Sequence, residues 1–206
     1  MRIKIAAYIA FALISIVSLI NGFQLPALWA RVVSSIPLIV VALFAIFDNW
    51  AWKLRPIAKV AQRPVLHGTW HGHLVSTWSP DGLTPTNNQY EAFLVVTQSF
   101  TTIQVVQITK ESKSRSVIAD IVKNSSDDFS VFYHYGNTPR IEFREESPIH
   151  MGGASFEVFD VNPKKLEGEY WNSRKSGGSM TFKRISSKRI GNFADGKELL
   201  EELKND

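Results

Sequence analysis

The chain has 206 residues, a net charge of +4 and no cysteine, which excludes disulfides, zinc–thiolate sites and thiol catalysis together. The charge is unevenly placed: residues 1–63 hold seven Lys/Arg against Asp48 alone, a net +6, and residues 64–206 hold sixteen against eighteen acids, a net −2. The basic excess therefore suits anionic lipid heads near the N-terminal region. It does not suit duplex nucleic acid, which calls for a basic patch on the folded domain.

Two charge-free apolar runs come first, Ile5–Ile20 and Val32–Phe47, each of 16 residues. Their flanks extend both toward the roughly 20 residues that cross a bilayer as helix. Only Asn21–Arg31 separates them, so the pattern predicts a transmembrane helical hairpin over residues 1–52. Arg2 and Lys4 precede the first run, and Lys53, Arg55, Lys59 and Arg63 follow the second. Lys/Arg-rich flanks stay cytoplasmic, and Trp29, Trp50 and Trp52 sit where indoles favour the interface. Both termini are then expected inside. Pro26 breaks the connector, and Pro37 is placed to kink the second helix. A cleaved signal peptide over residues 1–22 is a rival, but no A-x-A-like site follows and a second apolar run does. Two short helices of a soluble core are the other rival, disfavoured by the charge-free runs and the Trp placement.

Residues 53–65 read as a basic linker with two prolines. From Leu66 the pattern turns to β: runs rich in Thr, Val, Ile, Phe, Tyr and Trp between Gly, Pro, Asn, Asp and Ser clusters. Strands are expected near 66–78, 89–99, 101–110, 114–123, 127–136, 151–160, 165–173 and 178–186, with 137–150 irregular apart from a short strand read over Ile141–Arg144. Eight strands at hairpin spacing favour an up-and-down barrel over residues 66–190, since closure removes edge strands; a β-sandwich is the alternative. In the first strand Trp70, Gly72, Leu74, Ser76 and Trp78 share one face, and His71, His73, Val75 and Thr77 the other. Glycines 68, 72, 152, 153 and 168 suit tight coiling. Residues 191–206 form an acidic tail with Leu199, Leu200 and Leu203, read as a short exposed helix or disorder.

Chemistry is sparse. No P-loop, G-x-S-x-G or H-E-x-x-H motif is present. His67, His71 and His73 fall on one face of a strand, but no nearby acid completes a metal site. No nucleophile–base pair stands out, so no enzyme, cofactor or metal is expected. What remains is aromatic residues beside Arg and Asn, sharpest in Tyr170-Trp171-Asn172-Ser173-Arg174. An aromatic face stacks a nucleobase, and a guanidinium offers a planar fork to a phosphate. On this ground Tyr170 is expected to stack a base, Asn172 to read a base edge and Arg174 to reach a phosphate. Tyr90 and Arg140 are candidates for the opposite wall, and Trp171 falls on the other face of its strand. Tyr133 and Tyr135 show a similar concentration. Core packing is the competing reading for each aromatic.

The helix pair, the G-T-W at Gly68–Trp70, the Pro139-Arg140 before the S-P-I-H at Ser147–His150, and the L-E-G-E-Y-W-N-S-R at 166–174 together resemble a known family. It is the two-helix, β-barrel transmembrane effectors of bacterial cyclic-oligonucleotide antiphage signalling (CBASS). The resemblance implies a lipocalin-like eight-stranded barrel in the cytoplasm, on a multi-pass anchor in the inner membrane. It implies a cyclic dinucleotide ligand, made by an upstream nucleotidyltransferase that forms no stable complex with the effector. It further implies homo-oligomerisation through the helices and disruption of the bilayer. A membrane-anchored lipid carrier and a membrane-tethered adaptor are the alternatives. The topology has a direct test: a reporter fused after Asp206 should be active in the cytoplasm, and periplasmic activity would reverse the orientation.

Overall fold

The computed structural model describes residues 9, 13–14, 16–17, 27–77, 88–125 and 128–205, with side chains in the first helix from Ser35 onward except Pro37. Most of the first apolar run, Pro26, the Trp29 side chain and residues 78–87 lie outside the described residues. The chain divides into two compact units, residues 1–52 and 53–206. The first contains α1, Ala27–Asn49, in which Leu38, Val41, Leu43 and Ile46 are each more than half exposed. Among the described residues no helix is long and apolar enough to cross a membrane; in α1 the side chains described without a break run only from Leu38 to Asn49.

The second unit holds α2, Arg55–Ala61, within the expected basic linker. Pro56 lies in its first turn, where a missing N–H breaks nothing. Gln62, in a left-handed conformation, closes the helix by donating its N–H to Ala58 O and Lys59 O. Eight strands follow: β1 Gly68–Ser76, β2 Asn88–Gln98, β3 Ile103–Thr109, β4 Ser112–Lys123, β5 Asp128–Pro139, β6 His150–Phe159, β7 Lys165–Asn172 and β8 Gly177–Ser186. Each pairs antiparallel with its neighbour, and β1 pairs with β8, so the sheet is a closed barrel and not a sandwich. Gly68 starts β1 at φ 129°, a conformation open to glycine. Ile141–Phe143 is a 3-10 turn, not a strand. The β3–β4 ladder is short. It holds only Val106–Arg115, Gln107–Ser114 and Ile108–Lys113, and β4 shifts register between Ser116 and Ile118.

The inward alternation seen in β1 holds: Trp70, Gly72, Leu74 and Ser76 are all buried. The interior is not uniform along its axis. At the end where the chain enters from α2, Trp70, Leu94, Phe129, Phe156, Leu166 and Phe182 are fully buried and fill the lumen. Arg184 lies over the Trp70 ring at 5.7 Å. Its guanidinium donates to His67 O at 2.6 Å, to Val65 O at 3.3 Å and to Asn162 Oδ1 at 3.2 Å. Gln98 ties down the same segment, accepting from Leu66 N–H at 2.7 Å and donating to Pro64 O at 2.9 Å. Residues 63–67 thus seal this end.

A smaller apolar cluster lies outside the barrel wall, where Phe93, Val95 and Ile108 meet Phe193 and Leu200. The last two belong to α3, Phe193–Asn205. Gly196 sits against Phe93 so closely that a Cβ there would lie 2.6 Å from the ring. The C-terminal segment is therefore a docked helix, not an exposed tail.

Arg184→Ala removes charge-assisted bonds to two main-chain carbonyls and leaves both unsatisfied. It should lower stability by about 2–3 kcal/mol, read as a fall in the urea midpoint. Arg184→Lys should recover only part, since a point charge cannot serve both carbonyls and stack on the indole.

Candidate functional site

At the other end the barrel is hollow. A cavity of about 520 Å³ opens there, within the range of about 300–1,000 Å³ usual for ligand pockets. It is bounded by the turns that join β3 to β4, β5 to β6 and β7 to β8. Its walls differ. One carries Leu74, Ser76, Tyr90 and Tyr170, brought together because Tyr90 pairs with Leu74, and Gly178 of β8 lies between Ser76 and Tyr170. The other is a row of polar residues directly opposite one another on successive strands: Gln107 of β3, Ser114 of β4, Asn137 of β5 and His150 of β6.

This row is hydrogen-bonded. Ser114 Oγ donates to Asn137 Oδ1 at 3.2 Å, and Asn137 Nδ2 lies 3.3 Å from His150 Nε2. His150 Nδ1 lies 2.9 Å from Pro148 O, which can only accept, so the ring carries its proton on Nδ1 and Nε2 accepts from Asn137. Below the row Tyr135 is buried, and its hydroxyl donates to Trp171 O at 3.4 Å. Gly152 makes the room: a Cβ there would sit 2.4 Å from the Tyr135 hydroxyl. Burial pushes the Tyr135 hydroxyl up to about 12, with Tyr170 adding to the shift. Tyr170 also moves up, through burial first, with Tyr90 adding and a bond to Ser76 opposing.

Arg174 stands at the rim, in the turn between β7 and β8. It donates through Nη1 to Ser147 Oγ at 3.0 Å and through Nη2 to Glu146 O at 3.1 Å. Asn172 shapes that turn. Its Oδ1 accepts from Arg174 N–H at 2.9 Å and Ser176 N–H at 3.3 Å, while its Nδ2 donates to Ser176 Oγ at 2.7 Å. Lys175 takes the left-handed conformation that such a turn needs. Among the described residues, Arg174 is the one Lys or Arg that lines the cavity.

Of the five residues singled out from sequence, Tyr90, Tyr170, Asn172 and Arg174 line this one cavity. Arg140 does not. It lies with Lys113, Thr138 and Phe193 along a separate groove of about 300 Å³ near the start of α3. The reason is strand length: β5 runs on to Pro139, so alternation puts Asn137 inside and Thr138 outside. Trp171 faces out, 53% exposed, with its ring against Gly153. Sequence reasoning missed Gln107, Ser114, Asn137 and His150. Continuing the Tyr133–Tyr135 alternation by one step past Gly136 would have reached Asn137. The histidines of β1 lie apart from the cavity. His71 Nε2 meets Glu91 Oε1 at 2.8 Å, an acid supplied by β2, and among the described residues no three groups gather as metal ligands.

Residues 61–184 match the family model of the "Cap15, cyclic dinucleotide receptor domain". The chain belongs to the Cap15 family. It is 34% identical over 151 residues to "CD-NTase-associated protein 15" of Yersinia aleksiciae, covering 71% of this chain and 68% of that one. It is 24% identical over 136 residues to the protein of the same name from Staphylococcus schleiferi, covering 66% and 68%. The matched span runs from the end of α2 into β8 and contains every residue described for the cavity. The chain is thus a CBASS effector of the Cap15 family, with a β-barrel that senses cyclic nucleotides.

The tyrosines give the barrel a pH signature. An unfolded tyrosine ionises near pH 10, while the native fold holds Tyr135 neutral to about 12. Stability from this burial is full below pH ~10 and is lost as pH rises through that window, because the native state then binds more protons. The urea midpoint should fall between pH 9 and pH 11.5. Tyr135→Phe should lessen the fall, the rest coming from Tyr133 and Tyr170, which burial also pushes up; an unchanged slope would remove Tyr135 as a source.

Proposed function

We propose that the mouth-end cavity takes up a cyclic dinucleotide and that this binding gates assembly of the N-terminal units in the bacterial inner membrane, breaching the bilayer and arresting the infected host. The observation that carries the reading is the make-up of the cavity. An aromatic wall suits stacked bases, a polar row suits base edges, and a rim guanidinium suits a phosphate. A lipid carrier would want an aliphatic lumen, and among the described residues Leu74 is the one aliphatic side chain that lines this cavity.

In this reading Tyr170 and Tyr90 stack bases and Arg174 takes a phosphate. Asn172 acts through the turn that holds Arg174, since its amide oxygen and nitrogen are already engaged there. The protein is a receptor and not an enzyme; the nucleotide comes from an upstream nucleotidyltransferase that need not stay bound. The exposed Leu38, Val41, Leu43 and Ile46 of α1 support a lipid or helix partner for the first unit, because an apolar helix surface is not stable in water. The barrel then lies on the cytoplasmic side.

Gating needs the ligand to bind the assembled form more tightly than the resting one. Moving from 1:99 to 99:1 takes about 5.5 kcal/mol of that difference, which several bound copies can share. With the full chain in nanodiscs, calorimetry should show Arg174→Ala weakening cyclic dinucleotide binding by about 1.5–3 kcal/mol. Arg174→Lys should be intermediate, and Arg140→Ala should match the parent. Equal affinity for Arg174→Ala together with a loss for Arg140→Ala would move the site to the outer groove. In membranes, cross-linking should give larger species when ligand is added; a ladder indifferent to ligand would end the gating proposal.

A further inference from the structure

Asn137 lines the cavity yet is only 6% exposed. A side-chain amide offers two N–H groups and two oxygen lone pairs. In Asn137 one N–H goes to His150 Nε2 and one lone pair to Ser114. One donor and one acceptor remain, and with so little exposure they face the cavity and not bulk water. Their order is fixed. The His150 proton on Nδ1, held by Pro148 O, keeps the amide nitrogen on the β6 side and the oxygen on the β4 side. Beyond Ser114 on the same row is the Gln107 amide, whose side chain has no hydrogen-bond partner among the described residues.

Resting on the cavity reading above, we propose that Asn137 is the residue that selects the base, and that it selects adenine over guanine. An adenine edge presents one donor and one acceptor, N6–H and N7, the set an Asn or Gln amide matches in bidentate fashion. The corresponding guanine edge presents two acceptors, O6 and N7, and calls for two donors. Against Asn137 it sets oxygen against oxygen in a site with little water, and a buried acceptor without a donor is costly. The cavity's arginine is at the rim, bonded to Ser147 and Glu146 O, and not in the row. Tyr170 on the facing wall supplies the surface on which the base lies while its edge meets the amide. Ser114 and His150 are positioning residues that act through Asn137.

The test measures affinities of cyclic di-AMP, cyclic di-GMP and cyclic di-UMP for the full chain in nanodiscs. Cyclic di-AMP should bind about tenfold or more tighter than cyclic di-GMP, the scale of one bidentate pair. Asn137→Asp, which has acceptors only, should abolish that ratio. Ser114→Ala, which frees the amide to turn, should reduce the ratio while leaving the salt dependence of binding unchanged; it also serves as the test if Asn137→Asp fails to fold. Equal binding of cyclic di-AMP and cyclic di-GMP, tightest binding of cyclic di-UMP, or an undiminished ratio in the folded variants would overturn the proposal and leave the cavity reading standing. Binding of none of the three would overturn both.

Discussion

The closed end of the barrel depends on one half-buried cation. Arg184 projects inward from a strand, stacks on Trp70 and donates to the carbonyls of Val65 and His67. A guanidinium taken from water needs such partners, and the carbonyls of an irregular segment need donors in turn. Each meets the requirement of the other. Burial also acts on the neighbouring His67, which it holds below its usual pKa, with Lys53, Arg189 and Arg184 adding to the effect. The neutral ring is then free to accept the Gln98 N–H at 3.3 Å.

Sealing one end decides where a ligand can go. An eight-stranded barrel is only wide enough to be filled by side chains or to hold one small molecule. Here both happen, at different heights. The large residues Trp70, Phe129 and Phe156 lie low, while Ser76, Asn137 and His150 lie high on the same three strands. The change comes within single strands: in β5 the inward series runs Phe129, Val131, Tyr133, Tyr135, Asn137. Tyrosine marks the boundary, apolar in body and polar at its tip.

The eight strands were legible because their inward faces alternate and their turns are rich in Gly, Asn, Asp and Ser. Tyr170, Asn172 and Arg174 were legible as a set for the same reason, sharing a face or a turn at one strand end. Other features were hidden by tertiary context. Pro56 reads as a linker residue until it is seen at a helix start. The leucines of α3 read as a weak amphipathic tail until Phe93 and Ile108 are found outside the barrel wall to receive it. Arg184 reads as a solvent charge, since nothing local announces two carbonyls 117 and 119 positions away in sequence. Arg140 misled because the end of β5, and with it the inside–outside parity, lay beyond Gly136. Asn172 was assigned to a ligand by its face, while the geometry of its turn engages the side chain at home.

The short ladder between β3 and β4 bears on how the cavity fills. Three register pairs join these strands, against eleven between β4 and β5, and Val105 N–H turns to Ser116 Oγ at 2.9 Å instead of a main-chain carbonyl. Local opening is easiest where the fewest bonds must break. That seam runs between Gln107 and Ser114, through the polar wall itself. Opening those three pairs parts Gln107 from Ser114, so a molecule too wide for the mouth meets its least resistance along the polar wall.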